Sequence, residues 1–160
     1  MPDDLYERDI LTWSEQQADL LSRIARGERV NGVDWPHIVE EIADLGLSEL
    51  NGVRSLLRQG MIHLLKIHLW PDDMSELHWR TELVAFLADA SGRYAPSMRQ
   101  RIDVEELYTR SSRGVIQIAA ARGLVPVLPG QCPWTLEQLL EGDACVLLDA
   151  LPSHPSQSTR

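Results

Sequence analysis

The stretch Glu49 to Leu69, ELNGVRSLLRQGMIHLLKIHL, decides the fold class. With Leu50 at zero on a helical wheel of about 100° per residue, Val53, Leu57, Gly60, Met61, Leu64 and His68 all fall within about 80° of it. That is the apolar stripe of a helix packed on a core. From Met61 onward, Ile62 and Leu69 add apolar side chains on the opposite side, which predicts the central, most buried helix of the chain. Pro71 followed by Asp72 and Asp73 ends it, because proline interrupts the hydrogen-bond ladder and aspartate favours a turn.

Toward the N-terminus, Leu5, Ile10, Trp13, Ala18, Leu20, Leu21 and Ile24 recur mainly in steps of three and four. They predict a first helix over about 4–26, capped by Asp3 or Asp4 and stopped at Gly27. Asp34 is placed to cap a second helix with Trp35 and Pro36 in its first turn, continuing through Ile38, Val39, Ile42 and Leu45. At Leu45-Gly46-Leu47-Ser48 the glycine suits a left-handed stop and the serine a new cap. A break or sharp kink is expected there, although the apolar pattern runs on.

Toward the C-terminus, Ser75 is placed to cap a helix carrying Trp79, Leu83, Phe86, Leu87 and Ala90. Pro96 begins another, with Met98, Ile102, Leu107, Tyr108, Val115, Ile118 and Ala119 along it as far as Gly123. Cys132 to Leu140 reads as a short helix with Pro133 near its first turn, followed by an apolar piece through Val146, Leu147 and Leu148. The β-like run Leu124 to Leu128 is broken by Pro126 and closed by Pro129. The expectation is an all-α single-domain bundle of five or six helices over residues 1–151, with a polar tail at 152–160.

The 160 residues carry 24 acids against 15 lysines and arginines, a net charge of −9. Residues 1–49 hold 12 acids and 4 bases, residues 50–122 hold 8 and 10, and residues 123–160 hold 4 and 1. Such a field repels phosphate backbones, so nucleic acid is not an expected partner. Arg93, Arg99 and Arg101 form the notable basic cluster, read as surface ion-pair partners. No apolar run approaches the roughly 18 residues of a membrane helix, and the N-terminus is charged from residue 3 rather than built as a secretory signal. Cys132 and Cys145 lack metal-ligand spacing. A cytoplasmic protein with reduced thiols and no membrane partner is expected.

Reaction motifs are sparse. Gly-x-Ser-x-Gly, the phosphate-cradling P-loop and Gly-x-Gly-x-x-Gly are absent, and Lys66 is the sole lysine. Glu40, Glu41, Asp44 and Glu49 crowd one helical junction, with His63 and His68 on the next long helix. Di-iron bundles need Glu-x-x-His from two helices, whereas Asp34-Trp35-Pro36-His37 is the one acid-x-x-His in this chain. The leading reading therefore gives the glutamates a solvated face and His63 a hydrogen-bonded niche, with no metal and no cofactor. The alternative is an enzyme or metal-binding protein with a carboxylate–histidine site formed by Glu41, Glu49 and His63. Trp79-Arg80 beside His78 has the composition of a binding groove, and Cys132 before Pro133 is a candidate nucleophile. The candidate functional cluster is thus Glu40, Glu41, Glu49, His63, Trp79 and Arg80. A non-catalytic interaction or regulatory domain is expected, its partner another protein or a second copy of the chain in a homodimer.

One resemblance joins these segments. Leu5-Tyr6-Glu7-Arg8-Asp9 with Trp13 and Gln17, Asp34-Trp35 with Glu40-Glu41-Ile42, Leu45-Gly46 and Ser48-Glu49 lead to His63-Leu64-Leu65-Lys66, Trp79-Arg80 and Cys132-Pro133-Trp134-Thr135. In this order and spacing, over about residues 5 to 141, the chain resembles the bacterial family termed domain of unknown function 29, DUF29. The resemblance implies an all-helical bacterial protein with no assigned activity and therefore no catalytic roles to carry over. The chain departs from the family pattern at His78, where a serine is usual, and in the region after Pro96.

Overall fold

Asp9 divides the first expected helix. Its carboxylate accepts from the Thr12 backbone N–H at 3.0 Å and the Thr12 hydroxyl at 2.7 Å, so the chain makes one turn, α1 (Leu5–Arg8), and restarts as α2 (Ile10–Ala25). The computed structural model describes residues 5–152, all helix and loop, with no strand among them. The caps expected at Asp3 and Asp4 and the tail expected after Pro152 lie outside the described residues. Along α2 only Trp13 and Gln17 are buried, while Ile10 and Ile24 are exposed. The apolar stripe read there is therefore covered along one short stretch.

The expected break at Leu45–Ser48 does not occur, because α3 runs unbroken from Trp35 to Leu69. Gly27, Gly32, Gly123 and Gly142 take the left-handed conformation, and Gly46 does not. An interior glycine costs a helix only about 1 kcal/mol relative to alanine, whereas a break exposes new unpaired N–H and C=O groups at two ends. The small cost of the glycine against the cost of two new helix ends favours one continuous helix.

The residues form two compact units, one through Ser48 and one from Glu49. In the second, the core is built on the Glu49–Leu69 part of α3, where Val53, Leu57, Met61, Leu64 and Leu65 are all 0 % exposed. Trp79, Leu83 and Leu87 of α4 (Glu76–Arg93) join this core, as do Leu107, Tyr108 and Val115 of α5 (Val104–Ala121). His68, expected in the core, is half-buried. Ser75 takes the cap position of α4 without making a side-chain cap bond.

The single helix expected from Pro96 is two elements. Pro96–Arg101 forms a 3₁₀ segment, and Asp103 then caps α5 by accepting from the Glu106 N–H at 3.0 Å. Pro133 likewise lies outside its expected helix. The helix α6 (Leu136–Glu141) starts after Thr135, whose hydroxyl accepts from Gln138 N–H while the Gln138 side chain accepts from Thr135 N–H. Gly142, at φ 71°, closes α6, and Asp143 caps α7 (Ala144–Asp149). The Trp134 indole N–H donates to the Leu147 carbonyl at 2.7 Å and fixes these short helices to the core. Seven α-helices result among the described residues, four of them long, with Asp9 dividing the first expected helix and the apolar piece after Gly142 forming a helix of its own.

At Gly60 the second unit is packed most closely. A Cβ there would lie 2.7 Å from Leu87 Cδ2 and 3.3 Å from Leu87 Cγ, and Leu87 is itself buried. Gly46 has open space at the same atom. Gly46→Ala is therefore expected to stabilise the protein by up to about 1 kcal/mol, and Gly60→Ala to destabilise it despite the same gain in helix propensity. Urea midpoints that move in the same direction for the two variants would refute this account. Leu64→Ala is expected to cost about 2–5 kcal/mol in the same measurement, and an unchanged midpoint would show that Leu64 is not in the core.

Candidate functional site

In the first unit Asp34 collects the chemistry. Its carboxylate accepts from the Trp13 indole N–H at 3.1 Å and from His37 Nδ1 at 2.7 Å, and it also takes the His37 backbone N–H as the cap of α3. The Asp34 N–H donates in turn to Oε1 of buried Gln17 at 2.9 Å. Tyr6 stacks on the His37 ring with centroids 3.9 Å apart and meets Trp13 edge-on at 4.9 Å. Its hydroxyl donates to Glu41 Oε1 at 2.6 Å. That bond, with desolvation and the nearby acids adding to it, pushes the Tyr6 phenol up to about 12. Glu41 is thus the acceptor that fastens α1 to α3, and Glu40 beside it is exposed. Asp34 and His37 form a carboxylate–imidazole pair, but the hydroxyl over that ring is committed to Glu41.

His63 is the centre of a second polar cluster. Nδ1 lies 2.9 Å from the Gln59 carbonyl and Nε2 lies 2.7 Å from Glu82 Oε2. A carbonyl and a carboxylate are both acceptors, so both contacts are hydrogen bonds only when each ring nitrogen carries a hydrogen. The bond from His63 is the main reason the Glu82 carboxyl sits below its usual 4.5. Both ring nitrogens thus face acceptors within the fold. The other Glu82 oxygen lies 3.4 Å from His78 Nε2, and Lys66 sits 4.3 Å over the Trp79 ring with burial pushing its ammonium pKa down.

The remaining members of the expected cluster are separate. Glu49 pairs with Arg93 at 3.1 Å and lies 14 residues before His63, about 21 Å along the helix axis. Trp79 is buried against Trp70 rather than lining a groove, and Arg80 pairs with Glu76 within its own helix. Arg99 pairs with Glu137. Among the described residues no group of three or more His, Cys, Asp or Glu side chains is placed to hold a metal ion. Burial pushes the Cys132 thiol up to about 11, the opposite of what a nucleophile requires.

What the sequence reading passed over is a surface. Trp35, Val39, Ile42 and Leu45 recur along α3 at steps of four, three and three, and are 53, 64, 66 and 67 % exposed. They occupy an arc of about 120° on one helix face. Glu41, Ile42, Asp44, Leu45 and Ser48 line a shallow groove of about 500 Å³ on this stretch. The signal was present in the spacing, which reads identically for a buried and an exposed stripe.

A family model described as Domain of unknown function DUF29 matches residues 5–144. No curated protein matches the chain. Among solved structures the chain is similar to an alpha-helical protein of unknown function from Rhodospirillum rubrum ATCC 11170, known from a crystal structure at 1.45 Å resolution. The TM-score is 0.69 and the identity 29 %, with 90 % of this chain and 95 % of that chain covered. The likeness agrees with the all-α architecture. Among the described residues no helix is long and apolar enough to cross a membrane.

The Asp34–His37 pair gives the fold a pH signature. Its hydrogen bond lowers Asp34 below 3.8 and raises His37 above 6.5. A raised histidine contributes stability that is fully present below its unfolded value and is lost as pH rises through the folded one. The lowered aspartate contributes stability that is present above its unfolded value and is lost as pH falls through the folded one. Thermal midpoints should therefore fall as pH is raised through the region above 6.5, and Asp34→Asn should flatten that decline. Equal slopes for wild type and Asp34→Asn would exclude the pair as its source.

Proposed function

The chain belongs to the DUF29 family, and we propose that it is a non-catalytic interaction module whose first unit receives a basic amphipathic helix from another protein. The observation that carries this reading is the exposed stripe Trp35, Val39, Ile42 and Leu45 on α3. Isolated exposed apolar residues are ordinary on any surface, but a row at helical spacing is the mirror image of what an amphipathic helix presents. Glu41 and Asp44 flank Ile42 and Leu45 in the groove, and the first 49 residues hold 12 acids against 4 bases. Lysine or arginine beside the apolar ridge of a partner would complement this field, whereas a second copy of the chain would bring like charge against it. The cytoplasm, where Cys132 and Cys145 remain free thiols, is the proposed setting. The alternative of a catalytic or metal site at Glu41, Glu49 and His63 gains no support, since each of these residues is engaged with another partner.

The test uses a synthetic helical peptide with leucines at i, i+3, i+4 and i+7 flanked by lysine and arginine, and a control carrying glutamate at the flanks. Fluorescence anisotropy is expected to show binding of the basic peptide alone, weakened by salt. Ile42→Ser with Leu45→Ser should abolish the binding while changing stability by no more than about 0.5 kcal/mol per site. Binding of the acidic control, or undiminished binding by the serine variant, would sink the proposal.

A further inference from the structure

We infer that a cleft between α3 and α5 in the second unit binds the phosphate group of a small phosphorylated molecule. Asn51, Arg54, Ser55 and Arg58 line it from α3, at the i, i+3, i+4 and i+7 positions of one face, and Glu106 and Arg110 line it from α5. Leu107, buried, is also in the lining. The two helices are held together here by the Ser111 hydroxyl, which lies 3.3 Å from the Arg58 carbonyl and 2.8 Å from that of Leu107.

The charge arrangement is what calls for a ligand. Three guanidiniums face one lining carboxylate, Glu106, and that carboxylate is taken by Arg110 at 3.1 Å. Arg54 and Arg58 are half-buried one helical turn apart, and among the described residues neither guanidinium has an ion-pair or hydrogen-bond partner. Like charges at i and i+4 disfavour a helix. In a chain with 24 acids and 15 bases, an unneutralised pair of arginines facing a third across a cleft is the reverse of the overall charge. A phosphate dianion supplies the missing acceptors, because its oxygens match the planar fork of each guanidinium.

The cleft, at about 480 Å³, is larger than a bare ion needs and falls in the range of small-molecule sites. Asn51 and Ser55 at its edge offer an amide and a hydroxyl to the hydroxyl groups of a sugar or polyol. Nucleic acid is disfavoured as the source of the phosphate by the net charge of −9, which repels a long anionic backbone while sparing a compact ligand.

Calorimetric titration of the full chain at low ionic strength with inorganic phosphate, ribose 5-phosphate and ribose tests the inference. Both phosphates are expected to bind and ribose not to. A tighter Kd for the ester assigns the cleft to a phosphorylated metabolite, and equal Kd values assign it to phosphate itself. Arg54→Gln with Arg58→Gln should weaken binding about tenfold or more. Glu106→Gln, which removes the one negative charge, should strengthen it, so the test survives if the double variant does not fold. No heat with either phosphate overturns the inference, as does an affinity that these substitutions leave unchanged. Arginine-dependent binding of a single-stranded RNA oligonucleotide in preference to ribose 5-phosphate would overturn the small-molecule assignment.

Discussion

The contact between α3 and α4 in the second unit depends on the missing side chain at Gly60. Because α3 carries no Cβ there, Leu87 approaches to a distance that any other residue would forbid, and Leu83 lies beside it. Contact between two helices at one point fixes the register of the residues on either side of it. Glu82, next to Leu83, reaches His63 one turn beyond Gly60, and Trp79, one turn earlier on α4, comes under Lys66. Phe86 meets the edge of the His63 ring at 5.3 Å. The polar cluster on α3 and α4 is therefore a consequence of close backbone packing, and its hydrogen bonds compensate for placing a histidine among leucines.

The first unit is organised differently. With Trp13 and Gln17 as the buried residues of α2, it has little apolar area to set the register, and hydrogen bonds do so instead. Asp34 accepts from Trp13 and His37 and gives its N–H to Gln17, while Tyr6 ties α1 to Glu41. These same residues, Tyr6, Trp13, Gln17, Asp34 and Glu41, carry the family resemblance in the first part of the chain. The fold accounts for each of them, since each is a donor, an acceptor or a stacked ring in one connected network. In this chain the polar and aromatic residues of the motif tie the first unit together.

How far the sequence could be read follows from which physical terms are local. Helical periodicity and the burial of Val53, Leu57, Met61 and Leu64 are properties of one segment, and both were legible. The end of a helix is a competition between local options. The Asp9 carboxylate, inside the first expected helix, finds Thr12 three residues on and starts a new helix, whereas Gly46, read as a stop, takes no left-handed turn. The partners of His63 were not legible, because Glu82 lies 19 residues away and is brought near only by the packing at Gly60. The expected cluster of Glu40, Glu41, Glu49 and His63 followed proximity in sequence, and on a helix proximity in sequence places residues on different faces or in different turns.

Net charge is the property most easily over-read. A value of −9 describes the field at a distance, and at a distance this protein repels anions. Within a few ångströms the sum is replaced by the local set of side chains, where Glu41 and Asp44 flank one apolar groove and Arg54, Arg58 and Arg110 line another cleft. Screening strengthens the distinction, since exposed charges more than about 8 Å apart scarcely act on one another at physiological ionic strength. The arginines on α3 and α5 thus meet a ligand with their own local charge. One acidic chain can in this way present surfaces of opposite preference, provided that each is built from residues that a helix turn brings side by side.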